Sequence, residues 1–381
     1  MHPALERRRH LLDFAVRSLA RRPTKNLGLV AVYALVVFLL ASVMLFGSAI
    51  RREAGTLLAE GPEITAQAMV MGRHDLARTA DVEALRGLRG VRRVEPRLWG
   101  YLWDSAGAAN YTLMVPLASD AGRKVAKGKA IVGEGVARAR KLAVGKMLFL
   151  VSPSGKFLKT TVAEILPAST ALVSSDLVLV EESDFRAFFE LPADVWTDVA
   201  VSVTNPAEVK TVAEKAALRL PGFRFVTRSD MARTAEALFS WREGFALALL
   251  AGALLAFVIL AFDKASGLSA EEKREIGILK AIGWETSDVI SLKLWEGGLV
   301  SGFAFLVGVV AAWGHVFFFS AGLLEPVLKG WSTLYPRLTL EPSVDALELA
   351  TLGVLTVVPY IAAILVPVWR TASTDPDAVM R

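Results

Sequence analysis

Ser266–Ile290 reads SGLSAEEKREIGILKAIGWETSDVI, a charged amphipathic segment held between two long apolar runs. The flanking runs are Gly244–Phe262 and roughly Gly297–Leu324, and two more lie at Leu27–Ile50 and Leu349–Val368. Each reaches or exceeds the roughly 20 residues that a helix needs to cross about 30 Å of hydrocarbon. A short polar helix between two such spans looks like a docking element. Composition agrees: 54% hydrophobic and 21% charged residues, with mean hydropathy +0.45, is ordinary for a membrane protein carrying a large polar insert and unusual for a soluble domain.

The expected fold is an α-helical membrane protein with four transmembrane helices plus a large α+β extracytoplasmic domain between the first and second spans. Its segments are an amphipathic cytoplasmic helix (1–26), a first span (27–50), the α+β domain ending in a stalk helix (51–242) and a second span (243–263). A coupling helix (264–292), a third span (293–321), an outward loop (322–345), a fourth span (346–369) and a tail (370–381) follow.

Orientation follows from the short connections. Arg7, Arg8, Arg9, Arg17, Arg21, Arg22 and Lys25 precede the first span, and Lys264, Lys273, Arg274, Lys280 and Lys293 fill the second connection. Arg370 and Arg381 follow the last span, whereas the connection over 322–345 holds only Lys329 and Arg337. This excess places both termini and the 266–290 helix in the cytoplasm, and the long insert outside. The first apolar run far exceeds the 7–15 residues of a signal-peptide core, so it is expected to stay as an anchor. The net charge of +5 comes with basic flanks and without aromatic interleaving, which argues for anionic headgroups and against nucleic acid.

With no cysteine the insert holds itself together by burial alone, and about 190 residues is ample for that. Short strand-like runs alternate there with helices, among them Ile64–Val70, Asp81–Arg89, Met147–Val151, Leu158–Ile165, Val195–Val203 and Ala207–Leu220. Pro96, Pro153-Ser154-Gly155, Asn205-Pro206 and Pro221-Gly222 read as turns, and Arg51–Pro62 as the nearest thing to a linker. A helix capped near Ser229 is expected to run through Met231–Trp241 into the second span. Trp99, Tyr101 and Trp103 alternate on one strand and so share a face. Core packing or a domain contact is its expected use, with a substrate or partner surface as the alternative.

Motifs of catalysis fail on spacing. Gly122–Gly128 has five residues between its glycines where a phosphate loop has four, Gly277–Gly283 shares the fault, and Gly133-Glu134-Gly135 lacks a third glycine. His2, His10, His74 and His315 are scattered without ligand spacing, so no catalytic or metal site is expected. Among the charged or titratable groups in or at the ends of the spans, Glu296, His315 and Glu348 are the candidates for a polar path, and structural roles are expected for them. Small residues at Gly298 and Gly302, and at Ala248, Gly252 and Ala256, fall on single helical faces that suit close packing, within the subunit or at a dimer seam.

In the 266–290 segment Ile276, Leu279, Ile282 and Val289 recur at helical spacing, with Glu271, Glu272, Lys273, Arg274, Glu275 and Lys280 on the other faces. Periodicity alone leaves headgroup binding and protein docking equal. The residues R-E-I-G-I-L-K-A-I-G at Arg274–Gly283 resemble those of the MacB/FtsX-type permeases of ABC transporters, which include the lipoprotein-releasing permeases. The resemblance extends to Phe14–Pro23, to the single insert between the first two spans, and to the close Asp375–Arg381.

This resemblance implies a non-catalytic permease that dimerises with a second permease protomer in a bacterial inner membrane and binds two copies of an ABC ATPase subunit. ATP and magnesium would be held by that partner, with no cofactor in this chain. Arg274, Glu275, Ile276, Gly277, Leu279, Lys280, Ile282, Gly283 and Trp284 would dock the ATPase. Its motion would be transmitted to the outer domain, with extrusion of extracytoplasmic substrate as the leading function. Some relatives work with a periplasmic adaptor protein and an outer-membrane channel. An FtsX-like regulator of a cell-wall hydrolase, or an ATPase-independent membrane sensor or scaffold, are the alternatives.

Overall fold

The structure, a computed structural model, describes residues 3–21, 23–117, 124–234, 237, 244, 248, 251–252, 254–259, 262, 270–324, 333–334 and 340–373. In chain order its elements begin with α1 (Pro3–Arg21), α2 (Pro23–Glu60), β1 (Ile64–Val70), β2 (Arg73–Asp75), β3 (Ala77–Arg78), α3 (Thr79–Arg86), β4 (Val91–Arg97), β5 (Trp99–Asp104) and β6 (Ala109–Met114). Next come β7 (Lys129–Val132), α4 (Glu134–Ala139), β8 (Met147–Val151), β9 (Phe157–Ile165), α5 (Ala171–Ser174), β10 (Leu177–Val180) and α6 (Glu182–Phe189). The last are β11 (Val195–Trp196), β12 (Asp198–Val203), α7 (Val209–Arg219), β13 (Phe223–Thr227), α8 (Ala270–Ala281), α9 (Thr286–Phe317) and α10 (Ala346–Ser373). They form two units: Met1–Ala49, Phe239–Ala321 and Glu341–Arg381 in one, Ile50–Leu238 and Gly322–Leu340 in the other.

In the helical unit, among the described residues, three helical stretches are long and apolar enough to cross a membrane: Asn26–Thr56, Thr286–Phe317 and Ala346–Arg370. About half of the expected second span lies outside the described residues, as does much of the expected stalk over Met231–Trp241. From that span Phe257 stacks on Tyr33 of α2 (4.6 Å between ring centroids) and Tyr360 of α10 (5.9 Å).

The close helix contacts are made by glycines other than those expected. A Cβ on Gly308 would lie 2.7 Å from Val37 Cβ and 2.8 Å from the Ala34 carbonyl, and one on Gly297 would collide with Ile364. Gly298 and Gly302 instead face open space, with nothing within 4 Å of a built Cβ, and so does Gly252. Each residue along a helix turns the side chain by about 100°, so Gly297 and Gly298 look in different directions. Ala248 and Ala256 are likewise exposed within the single chain.

Glu296, His315 and Glu348 each have a partner. Lys293 Nζ donates to Glu296 at 2.6 Å, the His315 ring lies 3.2 Å from the Ser42 hydroxyl, and Ser48 donates to Glu348 at 3.1 Å.

The other unit is built from two principal sheets. A five-stranded antiparallel sheet runs β13-β1-β12-β4, with β2 also on β1. A six-stranded mixed sheet runs β5-β6-β10-β7-β9-β8, parallel at β6–β10 and β7–β9. In the first, Val82 and Leu85 of α3 and Val212 and Ala216 of α7 pack on Ile64, Val199 and Val201. In the second, Val136 of α4 and Phe185 and Phe188 of α6 cover Tyr111, Leu113, Leu148 and Val178. The chain leaves the first sheet at β4, builds the whole of the second, and returns at β12. Ser175 and Ala108 tie Leu334 and Thr333 to this unit through hydrogen bonds of 2.8 Å.

Two expectations are corrected. The linker expected over Arg51–Pro62 is helical to Glu60, because Gly55 alone interrupts a run that otherwise favours helix, and the break comes only at Gly61-Pro62. Pro96, read as a turn, lies inside β4, where it pairs with Val199. Because β4 is a sheet edge, the N–H that proline lacks is not needed there.

Candidate functional site

The segment expected to be one helix over Ser266–Ile290 is two elements. α8 ends at Ala281, and α9 starts at Thr286 and continues through the third apolar run. Gly283 has φ +99°, which an L side chain rarely adopts. Gly283 N–H donates to the Lys280 carbonyl and Trp284 N–H to the Leu279 carbonyl, both at 3.0 Å, the paired bonds of a Schellman close with glycine at its left-handed position. The next helix is capped at once, since Glu285 N–H donates to the Asp288 carboxylate at 3.2 Å. The short helix expected to couple is therefore α8 alone, and the helix that holds the third apolar run begins at Thr286, before the expected 293.

The burial of α8 divides the expected docking residues. Leu279 packs with Ala15, Leu11 and Phe14 of α1 and with Leu292 and Leu299 of α9, while Ile276 packs on Val289 and Ile290. Gly277 is buried too. These three residues hold α8 to its own subunit and leave nothing for a partner to touch. The exposed stripe is Arg274, Ile278, Ala281, Ile282 and Gly283, with the two isoleucines one turn apart. Ile282 thus leaves the apolar face it was expected to join, because it follows the last helical residue, Ala281, and lies above Ile278 on the exposed side. Ile278 was overlooked, although its place two residues from Ile276 puts it on the opposite side of a helix.

α1 braces this element. Arg21 forms an ion pair with Glu275 at 3.0 Å and lies over the Phe14 ring at 5.6 Å, and Phe14 in turn meets Trp284 at 5.6 Å. A concavity of about 450 Å³ beside the turn is lined by His10, Leu11, Phe14, Arg17, Trp284 and Asp288. Trp284 is half-buried against Phe14 beside the turn.

In the sheet unit, Trp99, Tyr101 and Trp103 do share a face of β5, and the alternate residues Leu102 and Asp104 turn inward. Core packing is the reading that fails for this face: Tyr101 and Trp103 are exposed, and Trp99 stacks on His74 (5.8 Å) and meets Tyr101 edge to face (5.3 Å). A cleft of about 600 Å³ lies between the two sheets, lined by Arg93, Glu95, Leu98, Lys124, Glu181 and Trp196 among others. The Ser183 hydroxyl holds the Glu181 carboxyl below the usual carboxylate range. Burial, with the nearby Asp104 charge, pushes the Tyr111 phenol well up. Asp104 itself accepts from Arg140 at 2.9 Å and from Gly107 N–H at 2.8 Å. Among the described residues no group of three His, Cys, Asp or Glu is placed to hold a metal ion.

Residues 244–376 match the family described as FtsX-like permease C-terminal. No curated protein sequence matches the chain. Among solved structures, the extracellular domain of the noncanonic ABC-type transporter YknZ from Gram-positive bacteria aligns with 14% identity and TM-score 0.31, over 43% of this chain and 99% of that one. The periplasmic region of MacB from Actinobacillus actinomycetemcomitans aligns with 12% identity and TM-score 0.32, over 45% of this chain and 92% of that one. The matched family region spans α8, the turn at Gly283, α9 and α10. Over residues 244–376 the chain carries an FtsX-like permease C-terminal region, in keeping with its resemblance to the MacB/FtsX-type permeases.

Proposed function

We propose that the chain is the membrane-spanning, non-catalytic subunit of an ABC transporter, and that α8 receives the motion of separate ATPase subunits, which bind ATP and magnesium. The observation that carries this reading is the form of α8. It is a short helix inside the matched region, closed by Gly283, locked from beneath through Ile276 and Leu279, and presenting Arg274, Ile278 and Ile282 outward. A part that takes up force needs a rigid underside and a free upper face, and α8 has both.

Two protomers would meet through faces that the single chain leaves open, with Gly298 and Gly302 or Ala248, Gly252 and Ala256 as the small-residue seams. Motion would pass to the sheet unit, driving substrate outside the membrane rather than through a polar channel. Glu296, His315 and Glu348 support this, because each is engaged by a neighbouring side chain rather than aligned as an open path. With its termini and α8 in the cytoplasm, the sheet unit would stand on the outer side of a bacterial inner membrane.

The test is co-purification with candidate ATPases encoded beside the chain, followed by ATP hydrolysis in lipid nanodiscs. I278D/I282D alters two exposed side chains and is expected to abolish association and permease-dependent hydrolysis while leaving the fold intact. Unchanged association and hydrolysis would remove the docking role from α8.

A further inference from the structure

We propose that the outer face of the β8–β9 hairpin docks on a bilayer surface rich in anionic lipid. The hairpin lies at one edge of the six-stranded sheet, with β8 outermost. Its inner residues, Leu148, Leu150 and Leu158, belong to the core. A solvent face on the other side of such a strand is ordinarily polar, yet here Met147, Phe149 and Val151 are exposed in succession, and Phe157 is 80% exposed. The register sets them in rows: Phe157 opposite Val151, Lys159 opposite Phe149, and Thr161 between Met147 and Lys129.

Charge identifies the occupant. Lys124–Lys159 holds nine basic residues and one acidic one, Glu134. The arginines in it are spent on structure: Arg138 pairs with Glu134, and Arg140 pairs with Asp104 and donates to the Phe149 carbonyl. The lysines all stay exposed. Lys159 Nζ sits 6.0 Å from the Phe149 ring, and Lys156 pairs with Glu190 at the rim. Glu164, the next carboxylate along β9, lies beyond the patch.

Protein interfaces favour arginine and are depleted in lysine. Exposed lysines interleaved with aromatic and aliphatic side chains fit a headgroup layer, where the apolar tips enter the acyl boundary and the ammonium groups reach up to phosphates. The inference stands on this face alone and does not depend on the transport reading.

The chain has no cysteine, so Pro153→Cys at the exposed hairpin turn takes a single fluorophore in the full chain. Leu218→Cys on α7, also exposed, serves as the control. The protein is held in nanodiscs, and quenching by spin-labelled lipid is read in two arms: lipid in the protein's own disc, and lipid in added vesicles, with phosphatidylglycerol or phosphatidylcholine as the bulk lipid in each. The expected result is quenching at position 153 but not 218, present with phosphatidylglycerol and lost at high salt. K129E/K146E/K159E should weaken it on the order of a hundredfold, since each lysine near an anionic surface accounts for roughly a fivefold gain. Absence of lipid-dependent quenching in both arms, or quenching that survives the charge reversal, would overturn the proposal. So would a response to added polyglutamate without one to lipid, which would assign the face to an acidic protein.

Discussion

Where the chain crosses from the five-stranded sheet to the six-stranded one and back, four neighbouring residues bind one another. Arg97 grips Asp198 with two bonds of 2.6 and 2.7 Å, Trp99 Nε1 donates to the same carboxylate at 2.9 Å, and Thr197 both accepts from Trp99 N–H and donates to its carbonyl. The helical unit has no such knot among its described residues. There, α2 meets α9 through a glycine that lets backbone approach side chain and through His315, which meets both the Ser42 hydroxyl and the Phe38 ring. The difference reflects the two solvents. A water-facing domain builds specificity from charge and directed bonds, whereas helices in lipid gain most from close packing, with interhelical hydrogen bonds averaging only about 0.6 kcal/mol.

The comparison breaks most visibly at Asp198, whose side chain is 2% exposed against 16% for Arg97. Asp198→Ala leaves a half-buried guanidinium and an indole N–H without their acceptor, and removing one partner of a buried pair costs about 3–5 kcal/mol. Thermal unfolding of the sheet unit, followed by tryptophan fluorescence of the full chain in nanodiscs, should shift accordingly. Asp198→Asn, which keeps an acceptor for Trp99, should recover part of the loss. A change below about 1 kcal/mol for the alanine variant would mean that the seam does not hold the two sheets together.

The corresponding test in the helical unit is Gly308→Ala, where the added methyl meets both Val37 Cβ and the Ala34 carbonyl inside 3 Å. Overpacking of this kind costs about 1–3 kcal/mol. Gly302→Ala, facing open space in the chain, should leave the monomer unchanged, and any effect it has should depend on protomer association. Equal losses at Gly308 and Gly302 in a dilute, monomeric preparation would contradict the packing described here.

These sites mark what the sequence could and could not tell. The end of α8 is legible, because glycine at 283 followed by tryptophan and a Glu-x-x-Asp cap has a local meaning. The direction of Gly297 against Gly298 is not, since both lie in an apolar helix and only the neighbouring helices decide which face is inward. The shared face of Trp99, Tyr101 and Trp103 follows from alternation, but its side does not, because Leu102 and Tyr101 are both apolar enough to be core. The Arg97–Asp198 pair spans 101 residues, and β4, with four charged residues and a proline, carries no strand pattern at all. Tertiary pairing, not propensity, makes it a strand.

The smallest effect sharpens the contrast between charge and directed bonding. Asp230 follows β13, and its carboxyl is held down to about 2, first by the Thr227 hydroxyl at 2.7 Å, then by Thr227 N–H and by Arg233. A carboxylate whose folded value lies below its unfolded value near 3.9 stabilises the fold above that pH, and the contribution fades as pH falls toward 2. Acid unfolding of the native chain should therefore carry a slope in this window that Asp230→Asn removes. Thr227→Ala should remove more of it than Arg233→Ala, and only the Arg233 share should shrink in salt, since a hydrogen bond at contact is not screened as an exposed ion pair is. If Arg233→Ala proved the larger, this turn would be held by charge after all, and the order of causes at Asp230 would be reversed.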